Sequence, residues 1–247
     1  MLQPPLFRFA LLSDTHLTGA ETAAPLEAAF RSLQQDPPDF AVLGGDMTDM
    51  GTAAQYAVLL NAIGGLCVPL RSVVGNHDRG NTGECERYRH AFGPLNTEWE
   101  AAGVHCLALD TTNTDPNPDN WHGMVEEPAL HWLRQALARL PPQKPLLLFT
   151  HHGLVGTRDD LSCDVENAED VLQLFAGRRL LAGFAGHAHR LTLNYWDEVP
   201  FFTAPALSCY RASYGVPPGF LRVEVFPTGV RVRLEIVEIR RSPPHPA

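Results

Sequence analysis

Asp14-Thr15-His16 is the first of five short clusters that carry side chains able to ligate a metal. The others are Gly44-Gly45-Asp46, Gly75-Asn76-His77-Asp78, Thr150-His151-His152 and Gly186-His187-Ala188-His189. Carboxylate, imidazole and amide oxygen suit divalent or trivalent first-row ions such as Mn, Fe and Zn, and the lack of thiolates in the clusters disfavours a purely soft site. A carboxylate has two oxygens and can serve two ions at once. Taken singly, an aspartate near a strand end is most often a cap or turn residue, and a lone loop histidine is a surface residue. The mutual agreement of the five positions sets that reading aside.

The elements that must position these clusters are short apolar runs at 6–12, 40–43, 70–74, 146–149 and 180–184. Each cluster ends or closely follows one run. Runs of this length, separated by helix-like segments, predict parallel strands buried on both faces. Open α/β sheets gather their ligands at the carboxyl ends of such strands, so the clusters are expected on one rim. In an extended chain Asp14 and His16 would point the same way. Leu26, Ala29, Phe30 and Leu33 recur at helical spacing before Asp36-Pro37-Pro38, and a second helix is expected over 53–62. Leu130, Leu133, Leu137 and Leu140 mark another, and Val171, Leu172 and Phe175 a further one. A short helix over 84–91 and a strand over 105–110 precede a polar 111–120 loop, whose length suggests a segment over the site. Beyond His189 the pattern becomes antiparallel. Segments 191–196 and 199–203 flank Asp197-Glu198, while alternating valines about Pro227-Thr228-Gly229 predict a second hairpin. The organisation reads as one domain over 1–241 with a disordered Pro-rich tail at 242–247.

The chain of 247 residues carries a net charge of -9, which offers no basic field for duplex nucleic acid. Cys67, Cys85, Cys106, Cys163 and Cys209 are odd in number, widely spaced and contain no C-x-x-C pair. A reducing cytoplasm is the simpler expectation. No charged leader precedes an apolar run at the N-terminus, and no run approaches the roughly 18–20 residues of a membrane helix. A cytoplasmic protein without membrane partners is expected.

The order D-x-H, G-G-D, G-N-H-D, H-H, G-H-x-H from Asp14 to His189 resembles the calcineurin-like metallophosphoesterases. Within them it looks most like the class III cyclic nucleotide phosphodiesterases and their broad-specificity relatives. Leu109-Asp110-Thr111, Gly123, His131-Trp132-Leu133 and Ala204-Pro205 are similar to that subgroup as well. The resemblance implies an α/β fold, a four-layer αββα sandwich of two facing mixed sheets flanked by helices. A dinuclear metal centre of Fe, Mn or Zn would lie at the strand ends. Asp14, His16 and His189 would hold one ion, Asn76, His151 and His187 the other, and Asp46 would bridge both.

The resemblance further implies in-line attack on phosphorus by a hydroxide between the metals. His77 would be the general acid and Asp49 its partner. The implied substrate is a small phosphodiester, with cyclic nucleotides such as cAMP as the family-level suggestion and glycerophosphodiesters as rivals. A phosphomonoesterase or a nuclease on the same metals is the alternative, and a metal-free protein-binding scaffold is the reading from another class. Where many relatives have H-H-P-P, this chain has His151-His152-Gly153-Leu154. His152 is a candidate substrate contact, together with Asn76 and Arg79. His90, His105, His122, His131 and His245 are expected to be structural, His122 being notable because it follows the 111–120 loop. Cys163 is expected to be buried or idle. Tyr210, Arg211 and Tyr214 are loop residues that could stack on a base. A homodimer through the late hairpin or the 230–236 strand is compatible with an open edge.

Overall fold

Along β1 (Phe7–Leu12) Phe7, Phe9 and Leu11 alternate with Ala10 and Leu12, and both sets are buried. The first set packs between two sheets and the second packs under helices. A strand covered on both faces has no regular polar register, which is why it reads as an apolar run interrupted only by half-buried Arg8. The computed structural model describes residues 3–80, 85–114, 121–208 and 216–238.

The remaining elements are α1 (Ala24–Gln35), β2 (Phe40–Leu43), α2 (Ala53–Ile63), β3 (Leu70–Ser72), α3 (Glu86–Phe92), β4 (Thr97–Ala101), β5 (Val104–Ala108) and α4 (Glu127–Ala138). They continue with β6 (Leu146–Phe149), α5 (Ala168–Gln173), β7 (Leu180–Ala185), β8 (Thr192–Trp196), β9 (Val199–Thr203), β10 (Gly219–Phe226) and β11 (Gly229–Ile236). One sheet has the order β11-β10-β1-β2-β3 and the other β4-β5-β6-β7-β9-β8. The strands at the centre of each run parallel, β1-β2-β3 in the first and β5-β6-β7-β9 in the second. Antiparallel partners close the flanks: β10 and β11 on one sheet, β4 and β8 on the other.

Phe9 joins the layers. Its ring stacks on Phe40, its register partner in β2, at 5.5 Å and meets Phe149 and Phe184 of the facing sheet edge-on at 5.4 and 5.2 Å. Outside the first sheet, α1 and α2 bury Leu26, Phe30, Leu33, Tyr56 and Leu59. Outside the second, α4 and α5 bury Leu130, Leu133, Leu137 and Val171. The fold is therefore an αββα sandwich of two mixed sheets, as the resemblance implied.

Two local expectations change. The 70–74 run is a strand only to Ser72, with Val73 and Val74 continuing buried into the turn. Strand β4 had no clear sequence signal, because its half-buried edge alternates Thr97, Trp99 and Ala101 with Glu98 and Glu100. Among the described residues no helix is long and apolar enough to cross a membrane. The tail at 242–247, the later part of the 111–120 loop, Tyr210, Arg211, Tyr214, Cys209 and His245 lie outside the described residues.

Candidate metal centre

Parallel pairing brings the carboxyl ends of β1, β2 and β3 side by side, and beyond β1 the pairing persists as single bonds. Asp14 N–H donates to the Gly45 carbonyl (3.0 Å) and His16 N–H to the Asp46 carbonyl (2.9 Å). The facing sheet ends at the same rim, where the main-chain N–H of His187 donates to the Asp14 carboxylate (3.0 and 3.2 Å). All five clusters therefore meet.

The backbone does not deliver them as a plain strand would. Asp14 (φ 56°), His16 (φ 43°), Asp46 (φ 50°), His187 (φ 64°) and His189 (φ 54°) are all left-handed. The expectation that Asp14 and His16 converge by strand alternation is thus corrected; they converge because the chain coils tightly after Leu12. Left-handed non-glycine residues cost roughly 1–3 kcal/mol each, and such strain gathers where a site demands it. Gly75 serves the same crowding, since a Cβ there would collide with the main chain and carboxylate of Asp46.

The donor atoms form two groups around Asp46. In the first, His16 Nε2 faces His189 Nε2 at 3.1 Å and lies 3.9 Å from Asp14 Oδ1 and 3.6 Å from Asp46 Oδ2, while His189 Nε2 is 3.3 Å from Asp14 Oδ1. In the second, His151 Nε2 is 3.1 Å from Asn76 Oδ1 and 3.3 Å from Asp46 Oδ2. Donors held by one ion at about 2.0–2.2 Å stand roughly 3–3.5 Å apart, and the shorter of these separations match that spacing. Asp46 Oδ2 is common to both groups. Asp14, His16 and His189, and separately Asp14, Asp46 and His151, gather as metal-capable sets, and His187 joins His151 and His152 in another. The residues fit two cations.

The electrostatics point the same way. Burial works against ionised Asp14, yet the adjacent His189 holds its carboxyl down at about 2. Burial likewise opposes ionised Asp46, and His151, His77 and His16 outweigh it, keeping this carboxyl well below its usual range. For His151 burial favours the neutral ring, but the Asp46 carboxylate prevails and lifts it to about 10. His189 is also raised, against burial, by Asp14. Two enclosed carboxylates thus demand positive charge, which protons on histidine or bound cations can meet. His16 and His187 are pushed down, chiefly by burial, and so stay neutral and able to ligate.

Neighbouring groups fix the ring orientations. His151 Nδ1–H donates to the Gly44 carbonyl (2.8 Å), so in the neutral ring Nε2 is the lone-pair nitrogen. Asp78, fully buried, accepts the main-chain N–H groups of Met47, Thr48 and Gly75 at 3.0–3.1 Å and so ties the loop after β2 to that after β3. Its carboxyl is raised to about 7, by burial first and by Asp46 second.

His77 stands at the rim with its side chain 26% exposed, its ring edge-on to His16 at 4.7 Å and its Nε2 3.9 Å from Asp46 Oδ2. Its main-chain N–H donates to Asp46 Oδ1 (2.9 Å). The expected pairing with Asp49 takes a different form. His77 Nδ1–H donates to the Asp49 main-chain carbonyl (2.6 Å), whereas the Asp49 carboxylate lies 3.4 Å from His16 Nδ1.

His152 is fully buried, and both ring nitrogens are engaged, Nδ1 with the Thr111 hydroxyl (2.9 Å) and Nε2 with the Trp121 carbonyl (3.1 Å). Arg79 Nη1 donates to the Thr112 hydroxyl (2.8 Å) and to the Asn113 carbonyl, pinning the start of the 111–120 loop. His90, His105 and His131 belong to none of the metal-capable sets. Cys163 is half-buried, its thiol donating to the Leu154 carbonyl at 3.5 Å.

Sequence reasoning missed two residues. Asp164 lies in a polar loop with no local signal, yet it is fully buried between His122 and His187. Trp121, 40% exposed, lies 4.2 Å from the ring of His122 and 5.5 Å from that of His187.

Residues 7–191 match the calcineurin-like phosphoesterase family model. The chain is 30% identical over 211 residues to a probable cyclic nucleotide phosphodiesterase of Rhodopseudomonas palustris, covering 78% of this chain and 76% of that protein. It is 29% identical over 182 residues to a probable glycerophosphodiester phosphodiesterase of Arcobacter nitrofigilis, covering 69% and 64% respectively. A purple acid phosphatase from yellow lupin shares the fold, with a TM-score of 0.67 and 14% identity over 93% of this chain and 51% of that one. With clustered aspartates and histidines at the rim of two facing sheets that together make a metal-dependent phosphoesterase-type catalytic fold, the chain belongs to the calcineurin-like phosphoesterase family.

Proposed function

We propose that this protein is a dinuclear metal phosphodiesterase acting on small phosphodiesters, with cyclic nucleotides as the leading class and glycerophosphodiesters as the rival. The observation that carries the reading is the sharing of Asp46 Oδ2 between two donor groups, with His77 beside them. Asp14, His16, His189 and Asp46 would hold one ion, and Asp46, Asn76, His151 and His187 the other. The donor set of oxygen and imidazole suits Mn, Fe or Zn. Two such ions supply a water of lowered pKa and neutralise charge building on the phosphoryl oxygens.

His77 has the geometry of a general acid. With Nδ1–H committed to the Asp49 carbonyl, a second proton on Nε2 faces the rim and can pass to a departing alkoxide. An alkoxide leaving group needs that proton, and both alkyl diesters and cyclic nucleotides release one. The relatives named as probable phosphodiesterases support diesters over monoesters.

The test is hydrolysis of bis-p-nitrophenyl phosphate against p-nitrophenyl phosphate by chelated protein resupplied with Mn, Fe or Zn, with Asp46→Asn alongside. Activity restored by metal, favouring the diester and absent in the variant, supports the proposal and opens a panel of 2′,3′- and 3′,5′-cyclic nucleotides and glycerophosphodiesters. Monoester preference makes the protein a phosphomonoesterase. Absence of bound metal and of activity with every ion refutes an enzymatic role.

A further inference from the structure

Three histidines of the donor groups, His16, His151 and His189, present Nε2 to the centre. His187 differs. Its Nε2 lies 2.9 Å from Asp164 Oδ2, so only Nδ1 remains to ligate a cation. The other oxygen of the same carboxylate, Oδ1, lies 2.7 Å from His122 Nδ1. A carboxylate oxygen accepts; each of these ring nitrogens therefore carries a proton toward it.

We propose that Asp164 is a positioning residue that holds His187 in the Nε2–H tautomer, so that Nδ1 is the lone-pair donor for the second cation. This rests on the dinuclear reading above.

The placement of Asp164 is enforced from several sides. It is fully buried, its N–H donates to the Gly153 carbonyl (2.9 Å), and its carbonyl accepts from Gly123 N–H (2.8 Å). Gly123 and Val165 form a parallel bridge beside it. These bonds fix the backbone that carries the carboxylate, and the carboxylate itself is buried with an imidazole on each oxygen. His187 itself has little freedom, since its ring packs at 4.4 Å from His152, at 5.3 Å from His151 and at 5.5 Å from Trp121. What packing cannot decide is which nitrogen bears the proton, because the two tautomers have the same heavy-atom outline. A fixed acceptor decides it, in the way ligating histidines are commonly oriented by a carboxylate on the far nitrogen. His122 occupies the remaining oxygen and is 35% exposed, so it screens the carboxylate from water at the rim.

Without Asp164 the Nε2 proton loses its acceptor, and the Nδ1–H tautomer, which cannot ligate through Nδ1, becomes populated. Affinity for the second cation should then fall about 10- to 100-fold, the usual consequence of losing such a carboxylate. Affinity at the Asp14–His16–His189 group should change much less, because Asp164 makes no direct contact with it.

The test compares wild type, Asp164→Ala and Asp164→Asn in two measurements. Long-range 1H–15N correlation of the His187 ring in metal-free protein reads the tautomer directly, and calorimetric titration with Mn2+ and Zn2+ reads each binding step. The expected result is a protonated Nε2 with bare Nδ1 in wild type, a mixed tautomer and one weakened step in Asp164→Ala, and an intermediate effect in Asp164→Asn, which keeps an acceptor oxygen. A pure Nε2–H tautomer in Asp164→Ala, or two unchanged binding steps, overturns the proposal. Should Asp164→Ala fail to fold, the same readings on Asp164→Asn decide, with an unmoved tautomer and unmoved affinities counting against it. Absence of metal binding by wild type would overturn the dinuclear reading, while the tautomer in metal-free protein still tests the role of Asp164.

Discussion

His16 Nε2 and His189 Nε2 face each other across 3.1 Å, one carried beyond β1 and the other beyond β7 of the opposite sheet. Two imidazole lone pairs aimed at one another repel, so this approach asks for a proton or a cation between them. Two enclosed carboxylates, Asp14 and Asp46, ask for the same.

Bound metal should therefore stabilise the fold measurably. A cation at a hundredfold excess over its Kd contributes about 2.7 kcal/mol. For a chain of this size that corresponds to roughly 5–10 °C in Tm. Differential scanning calorimetry with and without a chelator, followed by resupply of Mn, checks this. An unchanged Tm in protein that had bound metal would contradict it.

His77→Ala should reduce kcat about 10²- to 10⁴-fold for an alkyl diester, whose leaving oxygen needs a proton. With bis-p-nitrophenyl phosphate the loss should be far smaller, because p-nitrophenolate departs without help. Equal losses on the two substrates would remove His77 from the acid role.

Asp49→Asn separates the two contacts of this residue. The main-chain carbonyl that accepts from His77 Nδ1–H survives the substitution, whereas the carboxylate near His16 Nδ1 does not. Metal affinity should fall roughly 10- to 100-fold, with a smaller loss of turnover at saturating metal. Unaltered affinity with a large fall in kcat would show that the carboxylate serves the acid instead.

Trp121 offers a partly exposed aromatic face next to His187. Stacking on a base is worth about 1–3 kcal/mol. Trp121→Ala should then raise KM for a cyclic nucleotide roughly 5- to 100-fold while leaving KM for a glycerophosphodiester little changed. Parallel shifts on both substrates would deny the residue any part in base recognition.

The central strands and the donors were legible because each depends on short-range order. Both faces of β1, β2, β6 and β7 are covered, so each strand announces itself as an apolar run, and each run hands the chain to a turn that carries Asp14, Asp46, His151 or His187. Strand β4, half-exposed at an edge, gave no such run.

Which donor types exist, and in what order they leave the sheets, is written in the chain, since residue chemistry and strand period are local. Which atom of each donor faces which neighbour is set when the segments pack together. The left-handed coils at Asp14 and His16, the turning of the Asp49 carboxylate toward His16, and the enclosure of His152 by Thr111 and Trp121 arise from packing between segments distant along the chain. Asp164 is the clearest case. It is one acid among several in a polar loop until the seam beside Gly123 buries it, and only then does its carboxylate have two imidazoles to hold.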